Sequence, residues 1–354
     1  MPTLFDPLRI GALELPNRII MAPLTRSRAT DDRIPTALMR DYYVQRASAG
    51  MILSEATSVT PMGVGYAATP GIWSEAQVEG WRVITDAVHA AGGRILLQLW
   101  HVGRISDPSF LDGLPPVAPS AIAARGHVSL LRPERAYPLP RALETAEIPG
   151  VIEAFRLGAL NARRAGFDGV EIHGANGYLI DQFLHDKSNH RTDAYGGPIE
   201  NRARLMLEVT DAVVSVWGAD RVGMHLAPRG DSHDVGSVDM AGTFGYVASE
   251  LGRRKIAFLC ARENAESAQL GPDLKRAFGG VYIVNERYTT EQAQQALDAG
   301  TADAVAFGLK FIANPDLPLR LRTGAALNEV DRATLYARGP HGYSDYPALS
   351  PAMA

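Results

Sequence analysis

The 354-residue sequence contains one cysteine, Cys260, which excludes an internal disulfide framework and suits a reducing compartment. It has no long apolar run: Ile52 to Leu53 and Ile95 to Leu99 fall far short of the about 20 residues a membrane helix needs. Charge is nearly balanced, with a net of −4, so no electrostatic footprint for nucleic acid is present. The opening Met1-Pro2-Thr3-Leu4-Phe5-Asp6 lacks a basic segment followed by an apolar one. No signal peptide is therefore expected, and the expected address is the cytoplasm. No glycine-rich dinucleotide fingerprint follows the first strand-like run, which weighs against a Rossmann fold. Low-complexity tracts and linkers are missing too, so one domain over 1–354 is expected.

What is there is an ordinary globular composition, 46% hydrophobic and 21% charged. Short apolar runs alternate with helical spacing. Strands are expected at Arg18–Ala22, Met51–Glu55, Arg94–Leu99, Gly169–Ile172, Arg221–Leu226, Lys255–Leu259, Val281–Val284 and Ala304–Phe307. Helices are expected near Thr36–Ser48, Gln77–Ala91, Val151–Ala165, Glu200–Trp217, Ala241–Arg253, Pro272–Phe278 and Thr290–Ala299. Strands that are apolar without alternation suit a parallel sheet buried on both faces. Eight such units at this length predict an α/β fold, a closed (β/α)8 TIM barrel. A proline-rich segment after the third strand, 102–149, reads as a lid-like insertion.

A barrel's chemistry collects where its strands end. Those ends supply Pro23-Leu24-Thr25, Glu55-Ala56-Thr57, Gln98 to His101, His173, Asn176 and Tyr178, His225, and Gly308-Leu309-Lys310. Gly174 and Gly177 interleave the fourth set and permit a sharp turn. An isolated His–Tyr turn of this kind could equally be satisfied by local backbone. The set is poor in carboxylates, against glycoside hydrolysis, and no serine sits in a nucleophile elbow. Thr25 and Gln98 together could satisfy the amphoteric edge of a flat heterocycle. Val281–Asn285 and Phe307–Lys310 lie where barrels commonly bind phosphate. A heterocycle with a phosphate at the last two strands describes FMN. The alternative is a metal-dependent barrel hydrolase whose ion is held by His101, His173 and His225.

The chain resembles the Old Yellow Enzyme family of FMN-dependent ene-reductases, essentially end to end. The most specific blocks are Met21-Ala22-Pro23-Leu24-Thr25-Arg26, Gln98 to Arg104, Gly169 to Leu184, Asn189 to Gly197 and Phe311 to Leu317. The resemblance implies a barrel with non-covalent FMN, reduced by NADPH or NADH, and then an activated alkene in a ping-pong cycle. The substrate would be a small α,β-unsaturated carbonyl, maleimide or nitro compound. It implies that His173 and Asn176 polarise the substrate, flavin N5 delivers hydride to the β carbon, and Tyr178 protonates the α carbon. Implied cofactor contacts are Pro23, Leu24, Thr25, Ala56, Gln98, His225, Asn285, Arg287, Gly308, Leu309 and Lys310. Implied substrate contacts are His173, Asn176, Tyr66, Trp100 and Tyr343. A monomer or small homo-oligomer is expected, with no nucleic-acid or membrane partner.

Three departures from the family pattern stand out. His225 replaces the arginine that many relatives place near flavin N1, with Arg229 four residues on. Leu309 stands where a basic phosphate contact is usual, and Lys310 follows. The loop Asn285-Glu286-Arg287-Tyr288 is not glycine-rich and carries an acid. Of the remaining polar residues, Arg191, Asp193, Tyr195, Glu200, Asn201 and Arg202 read as structural bracing. His185, His190 and His233 read as solvated or locally satisfied, and Cys260 as a small buried residue.

Overall fold

Eight short parallel strands form a closed ring in the computed structural model, which describes residues 1–266 and 270–349. They are β1 (Ile19–Met21), β2 (Met51–Leu53), β3 (Ile95–Trp100), β4 (Gly169–Gly174), β5 (Val222–Leu226), β6 (Phe258–Arg262), β7 (Val281–Asn285) and β8 (Ala304–Phe307). Each pairs with the next in order, and β8 returns to β1 with Ala306 opposite Ile20. The fold is a (β/α)8 barrel, as expected.

Helices between the strands bury one face each against the ring. The helix α1 (Ala37–Val44) is capped by Thr36, whose hydroxyl accepts from the Met39 N–H. In α2 (Glu75–Ala90), Ser74 and Gln77 form a reciprocal cap, and Val78, Trp81, Ile84 and Val88 are buried at helical spacing. Then come α3 (Ile148–Arg164), α4 (Arg204–Trp217), α5 (Met240–Arg253), α6 (Gly271–Phe278), α7 (Thr290–Asp298) and α8 (Leu317–Thr323). The expected helix from Glu200 is broken at Ala203, leaving a separate turn at Ile199–Arg202. Among the described residues no helix is long and apolar enough to cross a membrane.

Alternation along the strands sorts the side chains. Val170, Ile172, Met224 and Leu226 pack outward into the layer under the helices. Glu171, His173 and His225, at the intervening positions, face the barrel interior. Most strand ends shift by one or two residues from expectation, and two of the differences bear on the site. β4 continues through Gly174, so His173 is the penultimate strand residue rather than the first beyond it. β6 starts three residues late because Lys255 turns with φ 54°, which puts Cys260 mid-strand and Arg262 at the strand end.

An N-terminal hairpin, Leu8–Ile10 with Leu13–Leu15, was not anticipated. Its Ile10, Leu13 and Leu15 join Ile20, Met51, Leu96 and Phe258 in the barrel's inner cluster. The Ala12 N–H donates to the carbonyl of Asp220, just before β5, so the hairpin closes the N-terminal mouth. Chemistry is left to the other mouth.

The 102–149 insertion is ordered by arginines. Arg104 donates to the carbonyls of Ile122, His233 and Asp234 at 3.0–3.1 Å. Arg191, paired with Asp193, donates to the carbonyl of Pro119 at 3.1 Å. Such bonds add to the apolar cluster of Val102, Ile105, Ala124, Val128 and Tyr137 in holding the insertion in place.

Candidate active site

Two cavities open at the C-terminal mouth and share Pro23, Leu24 and Leu309 as walls. The first, of about 440 Å³, is lined by Ala22, Pro23, Leu24, Gln98, His173, Asn176, His225, Asn285, Arg287, Gly308, Leu309 and Lys310, with Arg262, Glu286 and Tyr288. The second, of about 550 Å³, is lined by Thr25, Tyr66, Tyr178 and His233. It is roofed by His127, Ser129, Leu130 and Arg132 of the insertion and by Leu335 and Tyr336 near the C-terminus. Most of the sequence-predicted set therefore converges, divided between two chambers.

The turn after β4 sets the opening geometry. Asn176 and Gly177 both adopt positive φ, 59° and 73°. A Cβ on Gly177 would lie 2.7 Å from the Ser232 carbonyl oxygen, so glycine is required there. The Ala175 N–H donates to His173 Nδ1 at 3.4 Å, which leaves Nε2 as the protonated nitrogen. Burial, then the neighbouring His225, holds the His173 pKa well below its ordinary value, so the ring is a neutral donor. Asn176 Oδ1 is buried without a partner.

Tyr178 faces the second chamber. Its oxygen lies 2.9 Å from that of Tyr66. Burial raises its pKa, and the phenol stays protonated. Trp100 lies behind both phenols, its ring 5.5 Å from Tyr66 and 5.0 Å from Tyr178.

Beneath the first cavity, Gln98 Nε2 donates to Glu171 Oε2 at 2.7 Å. The amide is fixed, with its oxygen and second N–H left for a ligand. His225 Nδ1 lies 3.5 Å from the same carboxylate oxygen, and neither of its ring nitrogens has a hydrogen-bond partner.

Several expected contacts are not made. Tyr343 is fully buried, stacked on Tyr42 at 4.2 Å between Arg26 and Arg28, and reaches neither cavity. Trp100 is buried as a support rather than a wall, and Ala56 packs with it outside both linings. Arg229 cannot replace the missing charge near His225, because Asp231 and Glu286 hold it. His233, read as solvated or locally satisfied, sits in the site with Nδ1 2.6 Å from the Asn176 carbonyl. Nothing in its local sequence signals this, since 57 residues separate it from its partner. His185 is not solvated but fully buried against Asp181 and Ser237.

The three imidazoles considered for a hydrolytic ion do not converge. His101 lines neither cavity, its Nδ1 accepts from the Gly103 N–H at 3.1 Å, and burial lowers its pKa to about 3. The donors near His225 are Glu171 and Cys260, all within 4.8 Å of one another. Gln98 already engages that carboxylate, and burial keeps the thiol protonated.

Residues 3–328 match the family described as NADH:flavin oxidoreductase / NADH oxidase. The chain belongs to that family. It is 44% identical over 355 residues to a protein of Leishmania infantum named "Probable flavin mononucleotide-dependent alkene reductase", covering 98% of this chain and 97% of that one. It is 41% identical over 360 residues to 12-oxophytodienoate reductase 1 of Oryza sativa subsp. japonica, covering 98% and 93%. An old yellow enzyme homologue from Zymomonas mobilis superposes with a TM-score of 0.96 at 47% identity, covering 98% of this chain and 100% of that chain. Morphinone reductase in complex with tetrahydroNAD gives 0.96 at 50% identity, covering 99% of each. The chain is a flavin-dependent NAD(P)H oxidoreductase of the Old Yellow Enzyme group.

One part of this family member's mouth is fully ion-paired. Glu286 bridges Arg229 Nη1 at 2.9 Å and Arg262 Nη1 at 3.5 Å. Asp231 pairs with the same two arginines, and the four charges close a ring. On the other side, Lys310 Nζ donates to the Tyr288 carbonyl at 3.0 Å.

Proposed function

We propose that this chain is an FMN-dependent, NAD(P)H-driven ene-reductase acting on α,β-unsaturated carbonyls, maleimides or nitroalkenes. The first cavity suits FMN by its donor set. Its inner lining is neutral, with unpartnered nitrogens on His225 and the free amide face of Gln98. Its outer end carries Arg262, already paired with Glu286 and Asp231, together with Arg287 and Lys310. When bound there, FMN supplies the hydride that NAD(P)H provides and the alkene accepts.

The observation that carries the reading is the placement of one neutral imidazole donor and one free amide beside a protonated phenol. His173 Nε2–H and the Asn176 side chain face the cavity where negative charge would develop on a substrate oxygen. Tyr178 holds its proton across the physiological range and gives it to the α carbon. Tyr66 lies within hydrogen-bond distance of that phenol and fixes its direction. The insertion's residues over the second cavity shield the carbanionic carbon from water until the proton arrives.

The test is direct. The purified protein, or the protein reconstituted with FMN, absorbs as an oxidised flavoprotein, bleaches anaerobically with NAD(P)H and recolours on adding an enone. A protein that takes up no flavin, or bleaches and does not recolour with any activated alkene, would overturn the proposal.

A further inference from the structure

Barrels of this type commonly take a ligand's phosphate between the loops after the seventh and eighth strands. Here that place has an occupant from the chain itself. Glu286, the first residue after β7, lines the cavity end and is mostly buried, with 15% of its side chain exposed. It bridges Arg229 and Arg262, the arginines closed from the other side by Asp231. The two cations are thus neutralised by two carboxylates before any ligand arrives.

The backbone keeps the carboxylate there at a cost. Glu286 and Arg287 both adopt positive φ, 93° and 58°, a conformation that is strained for residues other than glycine. The ion pairs to Arg229 and Arg262 offset that strain. Of these two arginines only Arg262 lines the cavity; of the lining's other cations, Arg287 is exposed, and Lys310 is half-buried with its ammonium on the Tyr288 carbonyl and over the Phe307 ring.

We propose that the Glu286 carboxylate occupies the phosphate subsite of the cofactor cavity. The chain then holds flavin chiefly by its ring and ribityl chain and accepts phosphate-free riboflavin nearly as well as FMN. This rests on the reading of the first cavity as a flavin site. A dianionic phosphate entering the outer end meets a carboxylate on its best arginines and must displace it or bind beside it. Like-charge repulsion and the loss of two ion pairs then cancel most of what Arg287 and Lys310 contribute. Riboflavin meets neither cost.

Flavin-fluorescence quenching with deflavinated protein measures both affinities. The wild-type chain is expected to prefer FMN over riboflavin by less than about tenfold, a gap of about 1.4 kcal/mol. Glu286→Gln is expected to tighten FMN by about tenfold or more while riboflavin moves less than about twofold. Glu286→Gly removes the same carboxylate and suits the positive φ at that position, so it repeats the result in a chain with less loop strain. Inorganic phosphate should raise the Tm of both variants and leave that of the wild type unchanged. A wild-type preference for FMN above about a hundredfold, or equal shifts for both flavins in the variants, overturns the inference. Failure of every form to bind either flavin overturns the flavin reading, and this inference with it.

Discussion

The phenolic oxygens of Tyr66 and Tyr178 lie 2.9 Å apart across the wall of the second cavity. Both phenols are buried, and burial pushes both pKa values up. Only one of their two protons can lie between the oxygens. If Tyr66 donates, the Tyr178 proton points at the cavity, which is the arrangement a proton donor needs. The stack of Trp100 on Tyr66, with the rings 19° from parallel, holds the Tyr66 ring in place.

Tyr178→Phe is therefore expected to slow the alkene half-reaction by ~10²–10⁴-fold and leave flavin reduction by NAD(P)H within about threefold. Tyr66→Phe should slow the same step less, since it removes the partner and not the proton. Stopped-flow absorbance separates the two half-reactions. Equal slowing of both by Tyr178→Phe would remove it from proton transfer.

On the proposed function, His173 and Asn176 would supply the donors for the substrate oxygen. Replacing both by alanine is expected to cost ~10²–10³-fold in enone reduction, the range for losing one well-placed donor or more. Binding of the enone to the oxidised protein should weaken as well. Hydride uptake from NAD(P)H should survive, because the flavin-facing Gln98–Glu171 bond is untouched. Loss of flavin itself would show the pair to be structural.

The pH behaviour of His173 follows from its depressed pKa, caused first by burial. A neutral donor does not change between pH 6 and 8.5, so enone affinity is expected to be flat there, measured by titration of the oxidised protein. An affinity that falls with an apparent pKa near 6.5 would mean an imidazolium does the work. For stability the sign is opposite to a paired histidine. Unfolded imidazole binds protons that buried His173 and His101 refuse, so their contribution is lost as pH falls below about 6.5.

What the sequence made legible was periodic or local. The eight apolar runs announced the barrel, and the spacing of Val78, Trp81, Ile84 and Val88 announced α2. His173, Asn176 and Tyr178 lie on one turn and were visible together. Long-range partnerships were not. His233 reaches Asn176 because Arg104 pins the loop after β5, and Tyr343 leaves the site because Tyr42, Arg26 and Arg28 surround its ring. The hairpin was missed because its short strands, Leu8–Ile10 and Leu13–Leu15, carry too little alternation to register. The Glu286 ring was half legible: the acid showed in the sequence, but not the two arginines that hold it.

Glu55 gives the last expectation, and its sign differs from the usual carboxylate. It is fully buried beside β2, where its Oε2 accepts from the Arg26 N–H at 3.3 Å and its Oε1 from the Tyr43 hydroxyl at 3.4 Å. The Arg26 guanidinium is directed to the carbonyls of Leu335 and Gly342, and its charge and that of Arg28 only partly offset the burial of the carboxyl. Burial pushes its pKa up to about 7. A folded pKa above the unfolded one means the folded chain binds the extra proton. The associated stability is complete below about pH 4.5 and is lost as pH rises through 7. Glu55→Gln keeps one of the two acceptor oxygens and removes the ionisation. Against the wild type it should gain about 2–3 kcal/mol in urea unfolding between pH 5 and 8.5, the size expected for a shift of this order. His101 and His173 titrate in both proteins and cancel from that difference. A difference that is flat, or that favours the wild type increasingly at high pH, would mean that Arg26 and Arg28 stabilise an ionised Glu55 after all.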